Sequence, residues 1–290
     1  MKSGSKIERL MNFASTARNV FSQFGEDGII ETILDLLPQD GWCVEFGAWD
    51  GVYLSNTCNL IRNHGYRGVL IEADSKRFEQ LTENITGKDN VLLNRYVTFD
   101  GEGALSKILA NTDIPKDFDF LSIDIDGNDY HIFESLTEYR SKLVCIEFNP
   151  SIPNPVFFVQ VKDFRIKQGA SARAITELAQ SKGYELVAST YCNLLLVDKI
   201  HMPRLGLSTG LTLEQCRDDN ASRYYLFCGY DGTLFCDRPF PLTWHHLTVT
   251  PTGLQALPTF LRGLPDDYNS LQRSLFKLWR SLGRRRDKLK

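Results

Sequence analysis

Trp42-Cys43-Val44-Glu45-Phe46-Gly47-Ala48-Trp49-Asp50-Gly51 is a short apolar run that stops at a glycine and continues into a second glycine four residues on. A run of this length without helical period reads as a buried strand turning into a loop. The same pattern recurs outward from it. Gly68-Val69-Leu70-Ile71-Glu72-Ala73-Asp74 is a second strand, and further strands fall over 91–99, 118–124 and 143–148. Helical spacing fills the gaps over 55–64, 76–86, 103–111 and 129–139, and a helix before the first strand begins near Glu26–Asp27 and ends at Pro38. Strand alternating with helix at this spacing predicts βαβ units and a parallel sheet covered on both faces. A helix over 171–182 then precedes two strands, 184–189 and 193–198, joined by a turn short enough for antiparallel pairing at a sheet edge. The fold class expected is α/β: a Rossmann-like, seven-stranded, mostly parallel sheet with helices on both faces and the last strand antiparallel. Ile7, Leu10, Met11 and Ala14 suggest an additional N-terminal helix.

The composition suits such a fold. Of 290 residues, 42% are hydrophobic and 24% charged, which excludes a disordered chain; 21 Gly and 11 Pro exclude a collagenous or low-complexity one. Seven cysteines without a CxxC pair argue for reduced thiols and against a secreted disulfide framework. The first residues, MKSGSKIERLMNF, lack the apolar core of a signal peptide, and no stretch has the length of a membrane span. A cytoplasmic protein is expected. The net charge of −3 conceals an asymmetry: 270–290 holds eight Lys+Arg and one Asp. The remainder is acidic, and no nucleic acid is expected as a partner.

The loop after the first strand spaces its residues E-x-G-x-x-x-G through Glu45, Gly47 and Gly51. It is neither the dinucleotide G-x-G-x-x-G nor a P-loop. In open α/β sheets this loop lies at the carboxyl edge, where ligands bind, and an acid in it disfavours phosphate. Glu72, at the end of the second strand, is placed to accept both hydroxyls of a ribose. Together they point to an adenosine-containing ligand, with an NAD-dependent oxidoreductase as the weaker alternative. A third feature is acidic. Asp124, Asp126 and Asp129 follow the fourth strand, and Glu147 and Asn149 follow the fifth. Oxygen ligands from adjacent strand ends suit Mg²⁺ or another hard divalent cation, which would lower the pKa of an acceptor hydroxyl. The competing reading is that one acid meets the cofactor while the others cap the next helix. Asp124, Asp126 and His131 are the catalytic candidates, although a core role for His131 competes. The cysteines show no nucleophile signature. His245 and His246, adjacent in a presumed strand, cannot both face a site, and His64 and His201 read as surface or loop residues.

Ser22-Gln23-Phe24-Gly25-Glu26-Asp27-Gly28, the 44–51 loop, Ile71-Glu72-Ala73-Asp74 and Phe120-Leu121-Ser122-Ile123-Asp124-Ile125-Asp126-Gly127-Asn128-Asp129 resemble the FkbM-type class I methyltransferases. Ile146-Glu147-Phe148-Asn149-Pro150 and the 183–197 strand pair fit as well, so the resemblance covers about residues 20–200. It implies S-adenosylmethionine (SAM) as methyl donor and a hydroxyl on a sugar or glycan precursor as acceptor. It further implies that Glu45, Gly47 and Gly51 line the methionine half, Glu72 (with Asp74 beside it) holds the ribose, Phe99 and Asp100 lie near the adenine, and Asp124 sits at the methionine amino end. The departure is in the fourth-strand motif, where many relatives read D-x-E-G and this chain reads Asp124-Ile125-Asp126-Gly127. A SAM-fold module without transfer activity is the alternative function.

The expected organisation is an N-terminal helical segment (1–40), a SAM-binding core (41–200), an extension completing the acceptor side (201–269) and a basic amphipathic tail (270–290). The Pro-containing stretch 149–170 is too long for an ordinary connection and reads as a lid or binding loop. The tail allows contact with its own domain, with a partner or second copy, or with an anionic membrane surface.

Overall fold

The computed structural model describes residues 12–287, so Ile7, Leu10 and Met11 lie outside the described residues. The chain forms two compact units, Met1–Ser222 and Arg223–Lys290. In the first, α1 (Glu26–Leu34) precedes β1 (Trp42–Phe46), α2 (Cys58–Asn63), β2 (Arg67–Glu72), α3 (Ser75–Asn84), β3 (Val91–Asn94), α4 (Leu105–Leu109), β4 (Asp117–Ile123), α5 (Asp129–Ser135), β5 (Arg140–Glu147), α6 (Ala172–Ser181), β6 (Tyr184–Ser189), β7 (Asn193–Asp198) and α7 (Leu213–Cys216). The sheet runs β3-β2-β1-β4-β5-β7-β6. Pairings from β3 to β5 are parallel, while β7 runs antiparallel to both β5 and β6. This is the seven-stranded Rossmann-like sheet expected from the sequence.

Side chains alternate across the strands and feed two cores. Val44, Phe46, Leu121, Ile123, Val144 and Ile146 pack with residues of α4, α5 and α6. Cys43, Phe120, Leu143 and Cys145 face the other way, toward Phe13 and the α1 residues Ile29, Ile30 and Ile33. All seven cysteines are free thiols. Burial pushes the Cys43 and Cys145 thiols well up, as befits small core residues.

Several boundaries differ from the sequence reading for local reasons. α2 starts at Cys58 rather than 55, because the three preceding residues are bound by Glu45. β3 stops at Asn94 instead of 99: the Asn94 amide donates to the carbonyl oxygens of Glu72 and Ala73, turning the chain away from the sheet. α5 ends at Ser135, since Leu136 is extended and Tyr139 is buried in the core. His201, read as a surface residue, is buried in a 3-10 turn (Lys199–Leu205) beside Asp198, and burial lowers its pKa. His245 closes a 3-10 turn and is not in a strand.

The segment before α1 is held by acids. Asp27 Oδ2 accepts the backbone N–H groups of Val20, Phe21 and Ser22 at 2.7–2.8 Å. Glu26 accepts from Phe24 N, Thr190 Oγ1 and Asn193 Nδ2, tying this segment to the β6–β7 turn. At the opposite, amino edge of the sheet, Lys142 Nζ lies 2.6 Å from Asp119 and 2.9 Å from Asp40. Asp119 is fully buried.

The second unit contains two antiparallel hairpins, β8 (Leu226–Cys228) with β9 (Leu234–Cys236) and β10 (Phe240–Leu242) with β11 (Leu247–Val249), followed by 3-10 turns and α8 (Ser270–Asp287). The first hairpin turns through Gly229-Tyr230-Asp231-Gly232. No helix among the described residues is long and apolar enough to cross a membrane.

The Lys142–Asp119 pair gives a direct test of what holds the amino edge. Removing one partner leaves a buried charge uncompensated, so Lys142→Met should lower the unfolding free energy by about 3–5 kcal/mol. Lys142→Met/Asp119→Asn should recover more than half of that loss in urea titrations. Equal stability of Lys142→Met and wild type would show that the pair contributes nothing.

Candidate active site

The carboxyl ends of β1, β2, β4 and β5 surround a cavity of about 520 Å³. Its floor is the loop after β1. Gly47 has φ +73, and a Cβ there would fall 2.2 Å from the carbonyl oxygen of Asp124, so only glycine lets this loop approach the end of β4. Glu45 is buried and works as a clamp. It accepts from Ser55 Oγ and Thr57 Oγ1, each at 2.6 Å, and from Asn56 N at 2.9 Å. Burial raises its pKa and these three donors oppose the rise. Asn56 in turn donates to Ser122 Oγ, fastening the loop to β4.

Glu72 lies at the cavity wall with each oxygen taking one backbone donor, Trp49 N on Oε2 and Asp74 N on Oε1, both at 2.8 Å. Each oxygen keeps a second lone pair. Trp49 has φ +50 and its ring lies under the Arg77 guanidinium at 3.7 Å. Asp74 is exposed and caps α3 through Lys76 N and Arg77 N, which lowers its pKa; it does not line the cavity. Gly51 does not line it either, packing against Leu81 and Ile85. Phe99 and Asp100 also stand outside the lining. Phe99 stacks on Phe164 at 5.2 Å, and Asp100 starts a 3-10 turn.

Asp124, Asp126 and Glu147 come together, each offering a carboxylate oxygen within 4.8 Å of the others. The packed surroundings of Asp124, then repulsion from Asp129 and Asp126, push its pKa up to about 7, although the residue keeps an open side toward the cavity. Glu147 is raised to about 10, again by burial first and by Asp124 next, and the two share a hydrogen bond. Like charges this close cannot both ionise freely, so the pair retains a proton. Asp129 is raised to about 6 by burial, opposed by the N–H groups of Ile125 and Gly127 at 2.9 and 2.8 Å. Its carboxylate thus shapes the turn after β4. Asn149 is likewise occupied: its Oδ1 accepts from Ser151 and its Nδ2 donates to the carbonyl oxygen of Gln168. The five acidic and amide candidates are therefore divided, three converging on the cavity and two engaged in turns.

His131 is not brought to the cavity. It is buried, its Nε2–H donating to the carbonyl oxygen of Gln160 at 2.8 Å, with Tyr130 and Phe99 at its edges. Several lining residues escaped the sequence reading. Gln23, Tyr53, Tyr96, Phe164 and Lys167 reach the cavity from loops without period, and Arg77 reaches it from α3. Lys167 lies 3.4 Å from Asp126. The signals available were the 22–28 motif, which holds Gln23, and the stretch 149–170, which holds Phe164 and Lys167.

The residues 102–186, which include the acidic turn and Glu147, match the family model described as the methyltransferase FkbM domain. Within that stretch the chain resembles the FkbM methyltransferase domain. No curated protein matches it. Among solved structures, the chain is similar to the N-terminal domain of EvdMO1 in the presence of SAH and D-fucose (11% identity, 60% of this chain and 82% of that one, TM-score 0.39). It is also similar to M. capricolum TrmK in complex with S-adenosyl-homocysteine (14% identity, 66% and 77%, TM-score 0.39). A third is an O-methyltransferase family protein from Burkholderia thailandensis (8% identity, 59% and 55%, TM-score 0.41).

The acid pair has a cost for the fold that can be measured. The folded protein holds protons on Asp124 and Glu147 that the unfolded chain releases near the ordinary carboxylate range. Unfolding is therefore favoured as pH rises from about 4 through the raised values. Asp124→Asn should raise the melting temperature by roughly 2–4 °C at about pH 8 and change it little near pH 4. A lower melting temperature at both would assign Asp124 to the scaffold.

Proposed function

We propose that this protein is a SAM-dependent O-methyltransferase acting on a hydroxyl of a sugar or glycan-type acceptor. The observation that carries the reading is the pair of raised carboxylates, Asp124 and Glu147, opening on a cavity that also presents Glu72. A cavity of this volume falls in the range of small-molecule sites. SAM supplies an electrophilic methyl group on a sulfonium and brings an ammonium. The acidic wall suits both positive charges, and the free lone pairs of Glu72 suit ribose hydroxyls. The sugar-type acceptor rests on the resemblance of the sequence motifs.

In this reading Glu72 orients the adenosine half from one side, and Asp124 holds the ammonium from the other. The pair loses its shared proton when a cation enters, because a nearby positive charge favours the ionised carboxylate. Asp126 or Glu147 then accepts the hydroxyl proton as the acceptor oxygen gains the methyl group and the carbon–sulfur bond breaks. The clamp by Glu45 and the close approach at Gly47 keep the donor and acceptor sides at fixed separation, which is where most rate enhancement of such a transfer originates.

The test is SAM affinity as a function of pH. Binding that expels a proton strengthens as pH rises, by up to about tenfold per unit between about pH 6 and 8. Asp124→Asn should weaken SAM at least roughly tenfold while the fold is retained. Affinity that is flat across this range would overturn the assignment of the pair. SAM binding without S-adenosylhomocysteine release on a panel of sugar acceptors would favour the inactive-module alternative.

A second reading is favoured by the convergence of Asp124, Asp126 and Glu147. A hard divalent cation would replace the retained proton there and lower the pKa of the acceptor hydroxyl. Mg²⁺ added to EDTA-treated protein should then raise the melting temperature in wild type and not in Asp126→Asn. No shift in wild type would leave the carboxylates alone as proton acceptors.

A further inference from the structure

The second unit, Arg223–Lys290, contains a cavity of about 510 Å³ of its own. One wall is α8. Arg273, Lys277 and Arg280 recur at spacings of four and three, which brings them to one helix face, and all three line the cavity. Leu271, Leu278 and Leu282 lie on a different face and are exposed. The cationic side of this helix, and not its leucine side, is therefore turned toward the body of its unit.

The cations are not matched internally. Neither Lys277 nor Arg280 makes an ion pair or hydrogen bond among the described residues. Arg273 is oriented by the carbonyl oxygen of Tyr268 at 2.8 Å, which leaves its charge uncancelled. Two acids share the lining. Asp231 is engaged by Thr233 through N and Oγ1, and Asp266 lies 3.5 Å from the Tyr230 hydroxyl. Aromatic surface completes the wall: Tyr268, anchored through its hydroxyl to the carbonyl oxygen of Leu261, packs edge-on against Phe276, and Tyr230 is largely exposed.

The geometry points to a binding site for a phosphorylated, hydroxyl-bearing small molecule of the sugar-phosphate class. Lys277, Arg280 and Arg273 take the phosphate through charge-assisted hydrogen bonds. Asp231 and Asp266 accept from ring hydroxyls, and the Tyr230, Tyr268 and Phe276 surface packs on the apolar face of the ring. Each part of the ligand has a counterpart, whereas a bare anion would leave the acids opposed and a neutral sugar would leave the cations unmatched. The site is independent of the methyl-transfer reading, because none of these residues belongs to the cavity at the sheet edge.

The test is calorimetry on the full chain with glucose 1-phosphate, inorganic phosphate and glucose, with SAM binding as an internal control of folding. Glucose 1-phosphate should bind most tightly, and weaken at least roughly tenfold in Lys277→Gln/Arg280→Gln. The same weakening should appear in wild type at high salt. Leu271→Gln, on the other helix face, should change nothing. Unchanged affinity in the double variant would overturn the proposal. So would the absence of binding to glucose 1-phosphate, or binding confined to phosphatidylglycerol vesicles, which would instead make α8 a membrane-surface element.

Discussion

Two carboxylates at the ends of neighbouring parallel strands have little freedom to separate. Ile123 of β4 pairs with Ile146 of β5, so Asp124 and Glu147, one residue further along each strand, emerge side by side. Nearby acids are relieved by donors: Glu45 has three, Glu72 has two, and Asp129 has two. The pair has mainly each other. The pair thus differs from the other acids around the cavity, and it faces the open volume. An acid pair held in this way carries a cost for the ligand-free fold.

The sheet places this pair by the most predictable part of its architecture. Strand order and register follow from apolar runs, and adjacency of the fourth and fifth strands puts the acids at positions 124 and 147 on one edge before any side chain is considered. Gly47 was legible for the same reason, because a glycine at the end of the first strand faces the end of the fourth. The finer division of the acids was not legible. Asp129 and Asn149 have the same oxygen chemistry as Asp124 and Glu147, but turn geometry supplies them with backbone and side-chain partners. Turn geometry is set by backbone dihedrals that residue type only weakly restricts. Gly51 shows the same limit: it shares a loop with Gly47 yet answers to the packing of α3.

What the sequence could describe only by length was the stretch 149–170. It has the prolines and missing period of a lid, and the structure gives it the bonding of a wall. Gln160 is its centre, accepting from Gln168 N and Gly169 N, donating to the carbonyl oxygen of Ile166, and receiving His131 on its own carbonyl. From the far side Arg217 donates to the carbonyl oxygens of Pro150 and Ile152 and to Asn154 Oδ1, while Asn154 N donates to Asp219. These partners lie up to 67 residues away, which is why no local pattern announced them.

That bonding bears on how the cavity can change shape. Proline limits the freedom of the unfolded segment, and half-buried, charge-assisted bonds to Arg217 fix its folded path, so wholesale opening would break several bonds at once. One contact differs. Lys167 and Asp126 meet at 3.4 Å with both side chains about two-thirds exposed, and a pair so hydrated contributes little to stability. The easiest motion available is therefore the withdrawal of one lysine from one carboxylate, while Phe164 remains stacked on Phe99. Such a movement uncovers Asp126 without breaking the contact between Asp124 and Glu147.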